Sequence, residues 1–258
     1  MPLVIISGQR GGAGATTVVS NLAASLQNAG EQTLSIDLHP DNQLCLHFGV
    51  SQECISGWAQ AIATGADWKQ CAFQASDGRR ILPFGELAPY QFKRFREVLM
   101  SSIKSIADTF ALRQDEWVLI DMPVDRQQAL SDNLISECYQ AIYALADFSF
   151  YVAHPDLGTY RLLKQAALNG ETLADKQLYL LNEVDTNSAL SLDIELLLKA
   201  EFAAQVLPAS IHRDTAVPEA AAYMTAVNTY MPSSQASSDY HSLALWCLGR
   251  LGGDAENA

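Results

Sequence analysis

The residues best suited to chemistry lie just behind the N-terminus, in Ser7-Gly8-Gln9-Arg10-Gly11-Gly12-Ala13-Gly14-Ala15-Thr16-Thr17. This stretch follows the apolar run Leu3-Val4-Ile5-Ile6 and leads into a helical pattern beginning near Thr17. Strand, glycine-rich turn and helix, in that order, form the setting of a phosphate-binding loop. Glycines let the backbone fold closely around a polyphosphate with its N–H groups inward. The helix start adds unpaired donors and a partial positive charge. Thr16 is placed to ligate Mg²⁺ through its hydroxyl. A phosphate loop ordinarily reads GxxxxGK[ST]. Here Ala15 occupies the lysine position, and Arg10 is the only cation in the loop. The reading is nucleotide binding; the plainer alternative is a glycine-rich turn without a ligand.

Carboxylates stand where such a loop would need them. Thr33-Leu34-Ser35-Ile36 predicts a strand that runs into Asp37-Leu38-His39-Pro40-Asp41-Asn42. Trp117-Val118-Leu119-Ile120 predicts a buried parallel strand ending in Asp121, a Walker B pattern. In open α/β sheets ligands sit outside the carboxyl ends of the strands. Thr16 and Asp121 make a candidate Mg²⁺ set, with Asp121 acting through a water, and Asp37 stands at the neighbouring strand end where ligands sit. His39 is either a loop residue or, as a neutral imidazole, an acceptor for a proton from water.

These residues need positioning elements. Val18–Ala29 reads as a helix stopped at Asn28-Ala29-Gly30. Between 51 and 89 a short helix, a turn and a buried strand are expected, with Trp58 and Trp68 as core or interface anchors. Tyr90–Leu112 is a long helix with Phe92, Phe95, Leu99, Ile103 and Ile106 at helical spacing. It also carries Lys93, Arg94, Arg96 and Lys104, the densest basic patch in the chain, read as a solvated face or a dock for an acidic partner. Gln127–Cys138 is helical. Lys176–Leu181 is a strand closed by Asn182, a turn former or a polar reader at the strand end. Ser191–Phe202 is apolar nearly all round, which implies burial in the core or in a partner. Val206–Ile211 is the last strand, followed by His212-Arg213-Asp214. Pro218–Val227 and Tyr240–Leu251 read as closing helices, and 252–258 as a frayed tail. No repeat or linker interrupts this, so residues 1–258 are read as one α/β domain. Its architecture is a doubly wound, mostly parallel sheet flanked by helices, of the P-loop class.

Composition narrows the classes of function. The 258 residues are 49% hydrophobic and 17% charged, enough for a large core. The net charge of −13 argues against non-specific nucleic-acid binding and against adsorption to anionic lipid. No apolar run is long enough for a membrane span, and a strand near the N-terminus leaves no room for a signal peptide. A cytoplasmic protein is expected. The five cysteines lack CxxC spacing and read as small buried hydrophobes.

The loop resembles the deviant P-loop of the ParA/MinD family, xKGGxGK[ST][ST], with Arg10 in place of the early signature lysine. That lysine reaches across a dimer to the partner's nucleotide. The resemblance therefore implies an ATP-sandwiched homodimer, with Gln9, Arg10, Gly11, Gly12, Ala13, Gly14 and Ala15 around the phosphates and Thr17 on the α-phosphate. The segment after the second strand is similar to the family's DxDPQ, in which the first Asp lies close to Mg²⁺ and the phosphates and the second positions the attacking water. Asp37 matches the first, so it joins Thr16 and Asp121 in the implied metal set, and His39 stands in place of the second. Asn182 matches the family's adenine-reading Asn, and Ile211-His212-Arg213-Asp214 resembles IPR(D/N) on the adenine side, so Arg213 joins the nucleotide set. Family spacing from Asp121 favours Ala141–Ala146 as the next strand, although Phe148–Ala153 alternates better.

Gly57-Trp58-Ala59, Asp67-Trp68 and Leu82-Pro83-Phe84-Gly85 are similar to the GWA…DW…LPFG of the BcsQ family. Those MinD-like proteins are associated with bacterial cellulose synthase and pair these motifs with a lysine-poor loop. The similarity runs from Val4 to Trp246. It implies a role in assembling, localising or regulating the cellulose secretion machinery. The implied partners are a BcsR-like small protein and synthase components, and recruitment to the inner membrane or cell pole would go through them. Ala15 and His39 together imply slow or absent hydrolysis. An active ATPase using Arg10 and His39, and a nucleotide-free scaffold, are the alternatives; a DNA-partitioning ParA is disfavoured by the acidic balance.

Overall fold

A computed structural model describes residues 2–51, 56–111, 116–124, 133–169 and 176–251. The first strand, β1 (Leu3–Gly8), leads through the glycine loop into α1 (Ala15–Asn28), then β2 (Thr33–Asp37) and the one-turn α2 (Leu44–His47). After α3 (Trp58–Thr64) and a 3₁₀ turn come β3 (Phe73–Gln74), β4 (Arg80–Leu82), the long α4 (Pro89–Ala111) and β5 (Trp117–Met122). The second half follows as α5 (Asn133–Leu145), β6 (Phe148–Ala153), α6 (Leu157–Leu168), β7 (Gln177–Val184), α7 (Ala189–Glu201) and β8 (Val206–His212). Helices α8 (Ala216–Ala222), α9 (Val227–Tyr230) and α10 (Gln235–Leu251) close the described chain.

The strands form one eight-stranded sheet in the order β3-β4-β2-β5-β1-β6-β7-β8, parallel except for β3 against β4. Every residue of β1 and β5 is buried, as expected of central parallel strands covered on both faces. β1 lies between β5 and β6, so chain order reverses beside it and a crevice opens at its carboxyl end. Val18, Leu22 and Leu26 of α1 pack with Leu243 and Cys247 of α10 on one face. Trp58, Phe84, Phe95 and Ile142 fill the other. The glycine loop is thus mounted between a buried strand and a helix buried along most of its length.

A buried cation fixes the back of that helix. Arg79 is 2% exposed; its Nη1 donates to the Ser20 hydroxyl at 2.8 Å and Nη2 to the His47 carbonyl at 3.2 Å, while Nε pairs with Asp77 at 2.7 Å. The guanidinium also lies 4.4 Å from the Phe48 ring centroid. One side chain therefore ties α1, α2 and the turn before β4 together.

Most expected elements are present, and four differ. The strand after α5 is Phe148–Ala153, not Ala141–Ala146. Cys138, Ile142 and Ala146 recur every fourth residue and are buried, which makes Ala141–Leu145 the end of an amphipathic helix. Of the expected helix Gln127–Cys138, residues 127–132 lie outside the described residues. Helix α7 is not buried all round: Ile194 and Leu198 face the core, but Leu190, Leu196 and Leu197 are exposed. The expected helix Pro218–Val227 is two short ones, broken where Met224 takes a φ of 54°. The last helix starts at Gln235, five residues before Tyr240. Cys45, Cys138 and Cys247 are buried as expected, and Trp58 is a core residue at 2% exposure. The tail at 252–258 lies outside the described residues. Among the described residues, no helix is long and apolar enough to cross a membrane.

Candidate nucleotide and metal site

Gly12 and Gly14 adopt φ of 79° and 92°, a left-handed conformation that side chains disfavour. A Cβ on Gly14 would also come within 2.5 Å of Asn182 Nδ2. Helix α1 begins directly after this glycine. The Val18 N–H donates to the Gly14 carbonyl at 2.9 Å, and no side chain caps the helix start. The N–H groups of Ala15, Thr16 and Thr17 therefore have no intrahelical acceptor, and the positive end of the helix faces the crevice. This is a ready seat for an anion.

Asp37 and Asp121 are adjacent in register across β2 and β5, and both are fully buried. Asp37 is held in place by two backbone donors, His39 N–H at 2.8 Å and Leu44 N–H at 3.1 Å. Burial, reinforced by the neighbouring Asp121, nonetheless pushes its pKa up to about 8. Asp121 is raised by burial too, with His39 and the Thr16 hydroxyl pulling it back down. Neither Asp121 oxygen finds a donor in good hydrogen-bond geometry, and His39 Nε2 stands 3.8 Å from Oδ1. A buried carboxylate without a full hydrogen-bond shell is costly unless a cation completes it. Carboxylates with a hydroxyl beside a phosphate seat fit Mg²⁺, which takes few protein oxygens and shares the phosphates. Thr16, Asp37 and Asp121 would hold that ion.

Two adjoining cavities surround the loop. One, of about 400 Å³, is lined by the loop itself with His39, Asp41 and His47. The other, of about 520 Å³, is lined by Asn182, Arg213, Pro218 and Tyr240. Both include Gly14, Thr17, His47 and Glu183, so they join in one crevice with an end at the glycine loop and an end beside Asn182 and Arg213. Asn182 Nδ2 donates to the Ala13 carbonyl at 2.8 Å, which fixes the carboxamide against the loop. Arg213 is two-thirds exposed, with Nη1 3.8 Å from Asp185 Oδ2 at the rim of the crevice.

Arg10 and Gln9 are engaged by residues outside the crevice, although Arg10 still lines its loop end. Arg10 pairs with Asp156, and its Nη2 lies 3.2 Å from His154 Nδ1. Asp156 also caps α6 by accepting the Thr159 N–H at 2.9 Å. Gln9 turns the same way: its Oε1 accepts the Thr159 hydroxyl at 2.9 Å. Ala15 is buried and leaves the lysine position without a charge. His39 is 27% exposed and faces Asp121, so it belongs to the crevice and not to an outward loop. Sequence reasoning missed His47 and Glu183, which join the two cavities. Glu183 follows Asn182 directly and has a φ of 55°; only its neighbour offered a signal. His47 lies on a single-turn helix too short for a periodic pattern.

The fold is that of the MinD/ParA P-loop ATPases. The cell-division ATPase MinD of Pyrococcus furiosus superposes with a TM-score of 0.70 at 23% identity, covering 95% of this chain and 97% of that one. The septum site-determining protein MinD of Pyrococcus horikoshii, solved with Mg-ADP, gives 0.69 at 22% identity, covering 94% and 93%. The chain belongs to the family described as cellulose biosynthesis protein BcsQ, whose family model matches residues 1–248. The cellulose biosynthesis protein BcsQ of Escherichia coli K12 is 32% identical over 255 residues, spanning 96% of this chain and 94% of that protein.

Proposed function

We propose that this chain binds ATP with Mg²⁺, dimerises around the nucleotide with slow or absent hydrolysis, and serves the assembly, localisation or regulation of a bacterial cellulose synthase complex. The observation that carries the nucleotide reading is the fully buried Asp121, without a well-formed hydrogen bond, beside a loop and helix start whose N–H groups face the crevice. Family membership supports the cellulose role. By the same resemblance the partners are a BcsR-like small protein and synthase components, met by residues 1–258 acting as one domain in the cytoplasm.

Within this reading, the N–H groups from Gly11 to Thr17 bind phosphate, and Thr16, Asp37 and Asp121 arrange the ion. Mg²⁺ supplies the positive charge that Ala15 does not, against a crevice that also holds Asp41 and Glu183. Asn182 and Arg213 meet the base. Arg10 leaves Asp156 to reach phosphate, its own or that of a second copy. A missing lysine removes about 2 kcal/mol of charge-assisted phosphate contact. The same charge is worth more in a phosphoryl-transfer transition state, so hydrolysis suffers more than binding.

A second reading is an active ATPase in which His39 positions water and Arg10 replaces the lysine; the 3.8 Å approach of His39 to Asp121 favours it. Calorimetric titration with ATP, with and without Mg²⁺, tests the first reading, followed by turnover of wild type and His39→Ala. Binding that needs Mg²⁺, with negligible turnover, supports the proposal. Turnover abolished in His39→Ala selects the second reading, and no binding in either condition overturns both.

A further inference from the structure

Glu183 has no part in the phosphate and metal set, yet it stands where the two ends of the crevice meet. It lines both the cavity around the glycine loop and the cavity beside Asn182 and Arg213. The backbone is bent to put it there. Three non-glycine residues have a left-handed φ among the described residues: Asn42, Glu183 and Met224. Only Glu183, at 55°, lies inside a strand. Such a backbone is uncommon for a residue with a Cβ and clusters at ligand sites. Leu181 pairs with Ser210 and Val184 with His212, so β7 carries one residue more than β8 over that interval. A bulge of this kind re-aims side chains. A regular strand would send the consecutive Asn182 and Glu183 to opposite faces, whereas here both line the same cavity.

Glu183 is exposed, and among the described residues no hydrogen bond or ion pair takes its carboxylate. Burial raises the pKa of the Tyr240 phenol, with the charges of Asp239 and Glu183 adding to it. The Glu183 carboxylate therefore lies toward the wall that Tyr240 forms. In a nucleotide the ribose joins phosphate to base, so the sugar of a nucleotide spanning the crevice passes Gly14, Thr17, His47 and Glu183, which line both cavities. Gly14 has no side chain, and Thr17 opens α1 at the phosphate side. Burial holds His47 neutral, with one ring acceptor at most. Glu183 offers two carboxylate oxygens, which match the two hydroxyls of a ribose. A hydroxyl donating to a carboxylate makes a strong hydrogen bond, and dinucleotide-binding α/β folds hold the sugar through an acidic residue in this way. We propose that Glu183 accepts hydrogen bonds from the ribose 2′- and 3′-hydroxyls of the bound nucleotide and selects ribonucleotides over deoxyribonucleotides. The assignment rests on the reading of the crevice as a nucleotide site. It also carries a cost, because the same carboxylate repels the triphosphate wherever the hydroxyls are missing.

Calorimetric titration in Mg²⁺ compares ATP, 2′-deoxy-ATP and 3′-deoxy-ATP on the wild-type chain, on Glu183→Gln and on Glu183→Gly. Wild type should bind each deoxynucleotide about tenfold or more weakly than ATP. Glu183→Gly suits the left-handed backbone and has no carboxylate, so it should bind all three with similar affinity. Glu183→Gln keeps the length of the side chain and one acceptor, and its preference should fall between the two. Both variants should bind 2′-deoxy-ATP at least as tightly as wild type does, since a negative charge beside the triphosphate is gone. The proposal is overturned if wild type binds ATP and both deoxynucleotides alike, or if Glu183→Gly keeps the wild-type preference. It is equally overturned if the variants weaken ATP and the deoxynucleotides by the same factor, as a purely structural role would. In each of these cases ATP still binds, and the reading of the crevice stands. No ATP binding to wild type overturns that reading and this proposal with it.

Discussion

At the scale of single residues, the account turns on a carboxylate that the protein buries without a well-formed hydrogen bond and on a lysine that it lacks. Asp121→Asn keeps the shape and removes the charge. The nucleotide-free protein should then be more stable by about 1–3 kcal/mol at about pH 8, because a buried ionised group no longer has to be tolerated. The stabilisation by Mg-ATP seen in a thermal melt should disappear. A variant that melts like wild type and still gains from Mg-ATP would remove Asp121 from the metal set. Ala15→Lys tests the other half. The new ammonium would stand at the helix start beside Thr16, and turnover should rise by about tenfold or more. Unchanged turnover would mean that the missing lysine is not what limits hydrolysis.

At the scale of elements, the structure separates helices that carry load from those that offer surface. Leu198 of α7 is fully buried while Leu196 is 67% exposed. Leu198→Ala should cost about 2–5 kcal/mol and Leu196→Glu less than about 0.5 kcal/mol, measured by urea unfolding. Equal costs would restore the all-round burial that the sequence suggests. Leu192, Ile194, Leu196, Leu197 and Leu198 give hydropathy without direction; the packed sheet takes Ile194 and Leu198, and Leu190, Leu196 and Leu197 are the ones that a partner would cover. The strand after α5 differs for another reason: the alternation of Phe148–Ala153 marks it, whereas family spacing from Asp121 favours Ala141–Ala146, whose register with Cys138 makes it the end of a helix. In contrast β1, β2 and β5 were legible, because glycines and aspartates punctuate their ends. His47 ends α2 and shows what short elements hide. Burial, with the Arg79 charge adding to it, lowers its pKa from 6.5 to about 4. The fold therefore holds the ring neutral, and its contribution is present above about pH 6.5 and lost as pH falls toward 4. His47→Gln should flatten this part of the stability profile by about 1–3 kcal/mol across that window in thermal melts. A variant with the wild-type slope would assign the acid sensitivity elsewhere.

At the scale of the whole molecule, one sheet places two kinds of surface at separate positions. The carboxyl ends of β1, β2, β5 and β7 converge on the crevice, which is why residues as distant as Thr16, Asp121 and Asn182 meet there. The sequence announced the phosphate end of that crevice through glycine and aspartate. At its other end the family resemblance offers Asn182 and Arg213, which line the second cavity together, while Pro218 and Tyr240 come from separate helices that only folding brings there. A small apolar cavity lies among α3, α4 and α5, with Arg96 in its lining. In the proposed dimer, Arg10 changes partner from Asp156 to phosphate, so nucleotide binding and self-association are one equilibrium. Light scattering on the purified chain, after incubation with Mg-ATP and with Mg-ADP and with bound nucleotide analysed by chromatography, tests that most directly. The account predicts a dimer that retains intact ATP for hours and a monomer with Mg-ADP. A monomer in both conditions, or a dimer of the same mass without any nucleotide, would contradict it.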